Sequence, residues 1–136
     1  MNIFLCFETA FQIILDKLAV DNLLPKDLDV SRVVFELPRE ESHGDIATNA
    51  AMVLAKQVGS SPRDLAKLFA DELGAIDGVT DVKIAGPGFL NIWVEAKLWT
   101  REIADILSAG LSYGKNEIGA GNPVNIEFVS ANPTGP

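Results

Sequence analysis

Residues 82–94, VKIAGPGFLNIWV, contain two short runs of alternating apolar residues on either side of a Gly-Pro-Gly sequence. Val82 and Ile84 alternate with polar neighbours before the glycines, and residues 89–94 alternate after them, which is the period of a β-strand. Glycine and proline between two such runs are typical of a tight connection. The stretch therefore predicts a β-hairpin, whose apolar face needs helices to cover it.

Helical spacing of apolar residues recurs on both sides of this hairpin. Residues 2–18 and 96–109 are predicted as helices, and another is predicted from Ile46 through Gln57. Ser61-Pro62-Arg63-Asp64 predicts a helix start, because it combines a serine cap, a proline at the first helical position and an acidic residue after the cap. In the 96–109 helix, four residues are expected to face inward: Trp99, Ile103, Ile106 and Leu107.

Helices and strands mix without a strict βαβ rhythm, which indicates an α+β fold with a small antiparallel sheet covered by helices. Two further strands are predicted, at 33–35 and 124–129. We divide the chain into a domain over 1–110, a glycine-rich linker over 111–122 and a segment over 123–136. Because an apolar strand at 124–129 has no further strands to pair with, we expect a fragment whose last segment opens another domain.

Composition narrows the possible functions. The 136 residues suit one compact domain. A net charge of −8 excludes non-specific electrostatic binding of nucleic acid by the whole chain, although it does not exclude a local contact. A single cysteine, Cys6, and a single histidine, His43, exclude an internal disulfide and Cys- or His-rich metal sites. Glu8 and Asp16 interrupt the apolar start, which argues against a signal or a membrane span and predicts a cytoplasmic protein.

Three segments together resemble one family, the arginyl-tRNA synthetases. The segment 124–136, VNIEFVSANPTGP, is similar to the first strand of their catalytic domain and stops one residue before the H-I-G-H signature would begin. Segments 42–51, SHGDIATNAA, and 86–91, GPGFLN, are similar to parts of the family's N-terminal additional domain. All three occur in the family's order and spacing, so the resemblance covers essentially the whole chain.

The resemblance implies a full enzyme that uses ATP and Mg²⁺ to activate L-arginine and then transfers it to tRNA(Arg). It also implies that Glu127, Ser130 and Asn132 line the arginine pocket, and that residues 1–110 contact the D-loop at the tRNA elbow. No catalytic residue, cofactor or metal is expected within the chain itself, so it should be inactive alone. We expect the full enzyme to be a monomer.

Phe89 and Asn91 are the predicted tRNA-binding residues, because they match the family's contact positions after the Gly-Pro-Gly turn. Strand alternation places Phe89, Asn91 and Trp93 on the face opposite Leu90 and Ile92. An aromatic plane beside an amide suits an unstacked base, which could stack on the ring and hydrogen-bond to the amide. Pattern alone favours a packed core for these residues; the resemblance favours binding for Phe89 and Asn91, and Trp93 is assigned to the core.

The segment around His43 allows two interpretations. It could form a second tRNA-facing surface or a joint with the catalytic domain, or it could simply start a helix capped by Ser42 or Asp45, with His43 exposed. The capping signals favour the structural interpretation. Arg39 could contact a phosphate, but the neighbouring residues Glu40 and Glu41 argue against a strong anion site.

Two other kinds of function remain open from the sequence. The chain could be a free-standing α+β adaptor that binds RNA. It could also be an interaction module that adds the 124–129 strand to a partner's sheet. The same strand could let the fragment associate with itself.

Overall fold

The fold is described from a computed structural model that covers residues 2–117 and 119–126. Within these residues, helices and strands follow one another as α1 (Ile3–Val20), β1 (Phe35–Glu36), β2 (Ile46–Thr48), α2 (Ala50–Val58), α3 (Pro62–Gly74), β3 (Val79–Ala85), β4 (Phe89–Val94) and α4 (Ala96–Ala109). Short 3₁₀ turns occupy Glu41–His43 and Gly110–Ser112.

The four strands form one antiparallel sheet in the order β1-β2-β4-β3. The predicted hairpin is confirmed as β3 and β4, with Ala85 opposite Phe89 and Lys83 opposite Asn91. On its other edge β4 pairs with β2, where Ala47 lies opposite Asn91. The strand that carries both predicted tRNA-binding residues is therefore internal to the sheet, and the α+β class is confirmed.

Helices α1, α2 and α3 cover one face of this sheet. Leu90 and Ile92 on β4 are completely buried there. Phe11 of α1 joins the layers, because its ring lies 5.0 Å from Phe69 of α3 and 5.6 Å from Phe35 of β1, edge to face in both pairs. Since the apolar burial is concentrated on this side, the opposite face of the sheet remains open for other contacts.

The predicted start of α3 is confirmed in atomic detail. The Ser61 hydroxyl oxygen accepts a hydrogen bond from the Asp64 backbone N–H at 3.1 Å, and the hydroxyl donates to Asp64 Oδ2 at 2.6 Å. Pro62 occupies the first turn, where its missing N–H costs nothing.

The helix predicted from Ile46 is wrong in its first turn. Ile46 to Thr48 form strand β2, and the helix begins only at Ala50. Ile46 pairs with Ile92 and Thr48 pairs with Leu90, so both side chains are buried on the helix-covered face. An apolar residue just ahead of a helix fits helical spacing as well as a strand, and the pairing with β4 decides between them.

The prediction for α4 is correct in its limits and wrong in its orientation. The helix spans Ala96–Ala109, but Ile103, Ile106 and Leu107 are exposed, so that only Trp99 of the four predicted residues packs against the core, together with Leu98. Of the strand predicted at 33–35, only Phe35 lies in β1. The α4 helix thus packs its first turn against the core and leaves the apolar residues of its later turns exposed.

The predicted strand at 124–129 stays a prediction. Residues 124–126 are not part of a strand, and residues 127–129 lie outside the described part of the chain. The division into 1–110, 111–122 and 123–136 also stays a prediction.

Candidate nucleic-acid interface

Phe89 and Asn91 lie on the open face of the sheet, as strand alternation predicts. The side chain of Leu90 between them turns into the core, so the flanking residues must turn the other way. Residues two apart on one face of a strand are roughly 7 Å apart, which lets one small planar group touch both.

A groove of about 420 Å³ runs along this face beside both residues. The segment 36–43 forms one wall, and the hairpin between β3 and β4 forms the other. Its lining residues are Glu36, Leu37, Pro38, Arg39, Glu40, His43, Ala47, Ala85, Gly86, Phe89 and Asn91. Two small residues, Ala47 and Ala85, stand beside Asn91 and Phe89 in the sheet and leave the space above them open.

Phe89 forms the exposed rim of this groove. The residue is 40% exposed, far more than the aromatic residues that join the helices to the sheet. Its cross-strand neighbour, Ala85, is too small to cover the ring. An exposed aromatic ring beside a groove provides a stacking surface for a base.

Asn91 forms the floor of the groove. The residue is only 7% exposed, and within the described part of the chain its carboxamide makes no hydrogen bond. No polar side-chain atom described in the structure is sealed from solvent without a partner, so the amide must still reach the groove. A carboxamide that has both a free donor and a free acceptor can read the edge of a base.

Charges of both signs surround the groove. Arg39 lies in its wall and has no ion pair among the described residues, whereas Lys83 lies 3.3 Å from Asp81 and 4.7 Å from the centre of the Trp93 ring. Glu36 and Glu40 also line the wall. Such a mixture of positive and negative charges suits recognition of a single nucleotide better than binding of several consecutive phosphates.

Trp93 is half-buried and packs under the loop that forms the wall. A Cβ atom at Gly44 would lie 2.7 Å from the Ile92 carbonyl oxygen and 3.0 Å from the Trp93 ring. The φ of +91° at Gly44 is also a conformation that favours glycine. Gly44 therefore lets the 38–45 loop lie close against β4.

In the structural interpretation of the His43 segment, the exposure of His43 is confirmed, but the predicted helix cap is wrong. His43 belongs to a 3₁₀ turn, and Asp45 accepts a hydrogen bond from the Val94 backbone N–H through Oδ2 at 2.9 Å. Asp45 thus ties the loop to β4 instead of capping a helix. His43 borders the groove and lies 4.0 Å from Glu40.

Sequence reasoning did not connect Lys83, Ala47 and the 36–43 wall with Asn91. The sequence contains the information that places Lys83 opposite Asn91, because a tight turn at residues 86–88 fixes which residues of β3 and β4 face each other. The position of Ala47 depends on β2, whose residues fit the spacing of a helix in the sequence. The predicted arginine-pocket residues Glu127, Ser130 and Asn132 lie outside the described residues.

Residues 7–94, from α1 through β4, match the family model described as "Arginyl tRNA synthetase N terminal domain". The chain belongs to this family. The match contains the whole sheet and the groove, and it confirms the resemblance seen in the sequence.

Curated relatives of this synthetase domain carry the name arginine–tRNA ligase. The whole chain is 50% identical to the ligase of Parvibaculum lavamentivorans, 48% to that of Xanthobacter autotrophicus and 47% to that of Rhizobium meliloti. It spans 23% of the length of each of these relatives. Among the described residues of the synthetase domain, no helix is long and apolar enough to cross a membrane.

Proposed function

We propose that this chain is the N-terminal part of an arginine–tRNA ligase and that its groove binds an unstacked nucleotide of the tRNA D-loop. One observation carries the proposal: an exposed phenylalanine ring and a carboxamide that makes no hydrogen bond to any described residue lie on the same open face of β4, beside one groove. Family membership supports a role in the ligase, and the groove supplies a contact that suits RNA.

The expected chemistry of binding is stacking combined with reading of a base edge. A base stacked on Phe89 would bring its hydrogen-bonding edge over Asn91, two residues along the strand. Arg39 and Lys83 stand on either side, where they could meet the phosphates that flank the bound nucleotide. A stacked base contributes about 1–3 kcal/mol, so this contact orients the tRNA but does not hold it alone.

The chemical steps belong to the rest of the proposed ligase. ATP and Mg²⁺ would activate L-arginine there, with Glu127, Ser130 and Asn132 contributing to the arginine pocket. A carboxylate such as that of Glu127 can pair with the guanidinium of arginine through two parallel hydrogen bonds. The domain described here makes and breaks no bonds, and the chain alone should not activate arginine.

The test of the enzymatic proposal uses the full-length gene product. With ATP, Mg²⁺ and tRNA, it should form arginyl-tRNA, and the 136-residue chain under the same conditions should not. Failure of the full-length product to charge tRNA with arginine would leave a stand-alone RNA-binding adaptor as the better interpretation.

The test of the groove uses substitutions at Phe89 in the same full-length protein. Phe89→Ala should raise the KM for tRNA by roughly 5- to 150-fold, the equivalent of about 1–3 kcal/mol, and Phe89→Tyr should restore it. The KM for arginine should stay unchanged in both. Ile13→Ala is the control, since Ile13 is an exposed apolar residue on α1 outside the groove. Equal effects of Phe89→Ala and Ile13→Ala on the KM for tRNA would contradict the proposal.

A further inference from the structure

Helix α4 exposes a row of apolar side chains, which we call the α4 stripe. Ile103 is 57% exposed, Leu107 is 76% exposed, and Leu111 just beyond the helix is almost fully exposed. Ile106 lies beside them and is also exposed. Ile106 and Leu107 follow Ile103 by three and four residues, so these three residues lie on one side of the helix and form the stripe, whereas Leu111 belongs to the 3₁₀ turn beyond Gly110.

Leu98 and Trp99 in the first turn of α4 are half-buried and pack against the core. Arg101, Glu102 and Asp105 line a cleft of about 250 Å³ between α4 and α1, together with Leu98. Across the cleft, α1 contributes Cys6 and Phe7. The helix therefore contacts its own domain through the apolar residues of its first turn and leaves the apolar residues of its later turns in solvent.

A contiguous apolar stripe of this kind marks a surface that another structure covers. The position of α4 indicates which structure this is. The family model ends at residue 94, at the end of β4, whereas the match to the ligases continues through α4 to the end of the chain. More than three quarters of each relative lies outside this match.

We propose that the α4 stripe packs against the remainder of the same polypeptide, so that α4 joins the tRNA-binding domain to the rest of the ligase in a fixed orientation. The inference rests on the proposed function, because it requires the longer protein. Burial of the three large apolar side chains of the stripe would keep the groove on β4 at a constant distance from the part that carries out the chemistry.

The test compares two lysine substitutions in neighbouring residues of α4. Leu107→Lys introduces a charge into the stripe, whereas Ser108→Lys places the same charge about 100° around the helix on an exposed polar position. Both residues are exposed in the structure and lysine is a good helix former, so neither change should disturb the isolated chain. Amide hydrogen exchange of residues 103–109 is measured in the 136-residue chain and in the full-length product.

The α4 amides should exchange more slowly in the full-length product than in the 136-residue chain. Leu107→Lys should abolish this difference and lower the melting temperature of the full-length product, whereas Ser108→Lys should do neither. Equal exchange in both proteins, or equal effects of the two substitutions, would overturn the inference. Slower exchange that appears only on self-association of the 136-residue chain would also overturn it, in favour of a second copy.

These outcomes are distinguishable from a failure of the proposed function. Wild-type full-length protein that charges tRNA with arginine but shows an unprotected α4 would disprove the docking of the stripe alone. Absence of arginyl-tRNA formation would disprove the ligase proposal, whatever the exchange rates of α4.

Discussion

Asn91 is buried, yet its carboxamide makes no hydrogen bond within residues 2–117 and 119–126, which stabilises the fold less than a paired or apolar side chain would. A buried polar group in a folded protein usually has a hydrogen-bond partner. The Asn91 carboxamide has none among the described residues, although Ala47 and Lys83 flank it in the sheet. A residue that served only stability at this position would be apolar, or its polar atoms would be hydrogen-bonded.

Asn91→Leu should therefore separate stability from binding. Leucine has a similar branched shape and breaks no side-chain hydrogen bond, so the free energy of unfolding of the chain should stay unchanged or rise. The KM of the full-length product for tRNA should rise, since the base edge loses its partner. Urea unfolding and arginylation kinetics measure the two effects; a loss of stability without a change in KM would assign Asn91 to the core.

Gly44 holds the groove wall against β4, and its role is also testable. Gly44→Ala should destabilise the fold by more than about 2 kcal/mol, because the new Cβ would clash with the Ile92 carbonyl and the residue would keep a strained φ. Gly59→Ala is the matched control: Gly59 also has a positive φ, of +73°, but a Cβ there would meet nothing within 4 Å. This control should cost only about 1–2 kcal/mol. Equal losses in urea unfolding would contradict the steric argument.

At the scale of elements, the sequence predicts what depends on local signals. The hairpin of β3 and β4 follows from its Gly-Pro-Gly turn, and α3 follows from the Ser61 cap. Strand β2 could not be recognised, because its three residues acquire their identity only by pairing with β4. For α4, the hydrophobic pattern identifies the apolar side of the helix, but it does not show which structure that side packs against. The groove could not be predicted, because it depends on two long-range contacts. Strand β2 places Ala47 beside Asn91, and the segment 36–43 forms the wall over the sheet.

The start of α3 gives a prediction that depends on pH. The Ser61 hydroxyl, followed by Lys67, lowers the pKa of Asp64 below its usual 3.8. A carboxyl group with a lowered pKa in the folded state contributes stability above the unfolded pKa, and that contribution is lost as the pH falls through the lower, folded pKa.

Ser61→Ala should lower the free energy of unfolding by about 1 kcal/mol at neutral pH, through loss of the helix cap. The difference in free energy of unfolding from wild type should narrow as the pH falls from about 3.8 through the lower, folded pKa of Asp64, because the protonated carboxyl group gains less from the Ser61 hydroxyl. Ser60→Ala, one residue earlier and outside the helix, should change stability by less than about 0.5 kcal/mol at either pH. Urea unfolding at pH 7 and pH 3 measures both; a difference that does not vary with pH would contradict the role of Asp64.

At the scale of the whole molecule, the net charge of −8 works against tRNA binding. Neutralisation of phosphates supplies most of the non-specific affinity of proteins for nucleic acid, and this chain offers few cations for it. In the proposed ligase, the groove would therefore contribute orientation and selectivity, and the rest of the protein would have to supply the affinity.

The 136-residue chain alone should bind tRNA far more weakly than the full-length product. The Kd of each protein is measured by titrating fluorescently labelled tRNA and following its anisotropy. Both titrations are done at about 0.15 M salt, so that charges are screened equally. The same Kd for the two proteins would contradict the account, because it would place the main affinity in this acidic domain.

The central claim is that the groove at Phe89 contacts the tRNA D-loop, and photocrosslinking tests it most directly. Phe89 of the full-length product is replaced by the photoreactive p-benzoylphenylalanine, with the same replacement of Ile13 on α1 as the control. The account predicts a crosslink from position 89 to D-loop nucleotides and none from position 13. A crosslink from position 89 to another part of the tRNA, or no crosslink in a protein that still forms arginyl-tRNA, would contradict it.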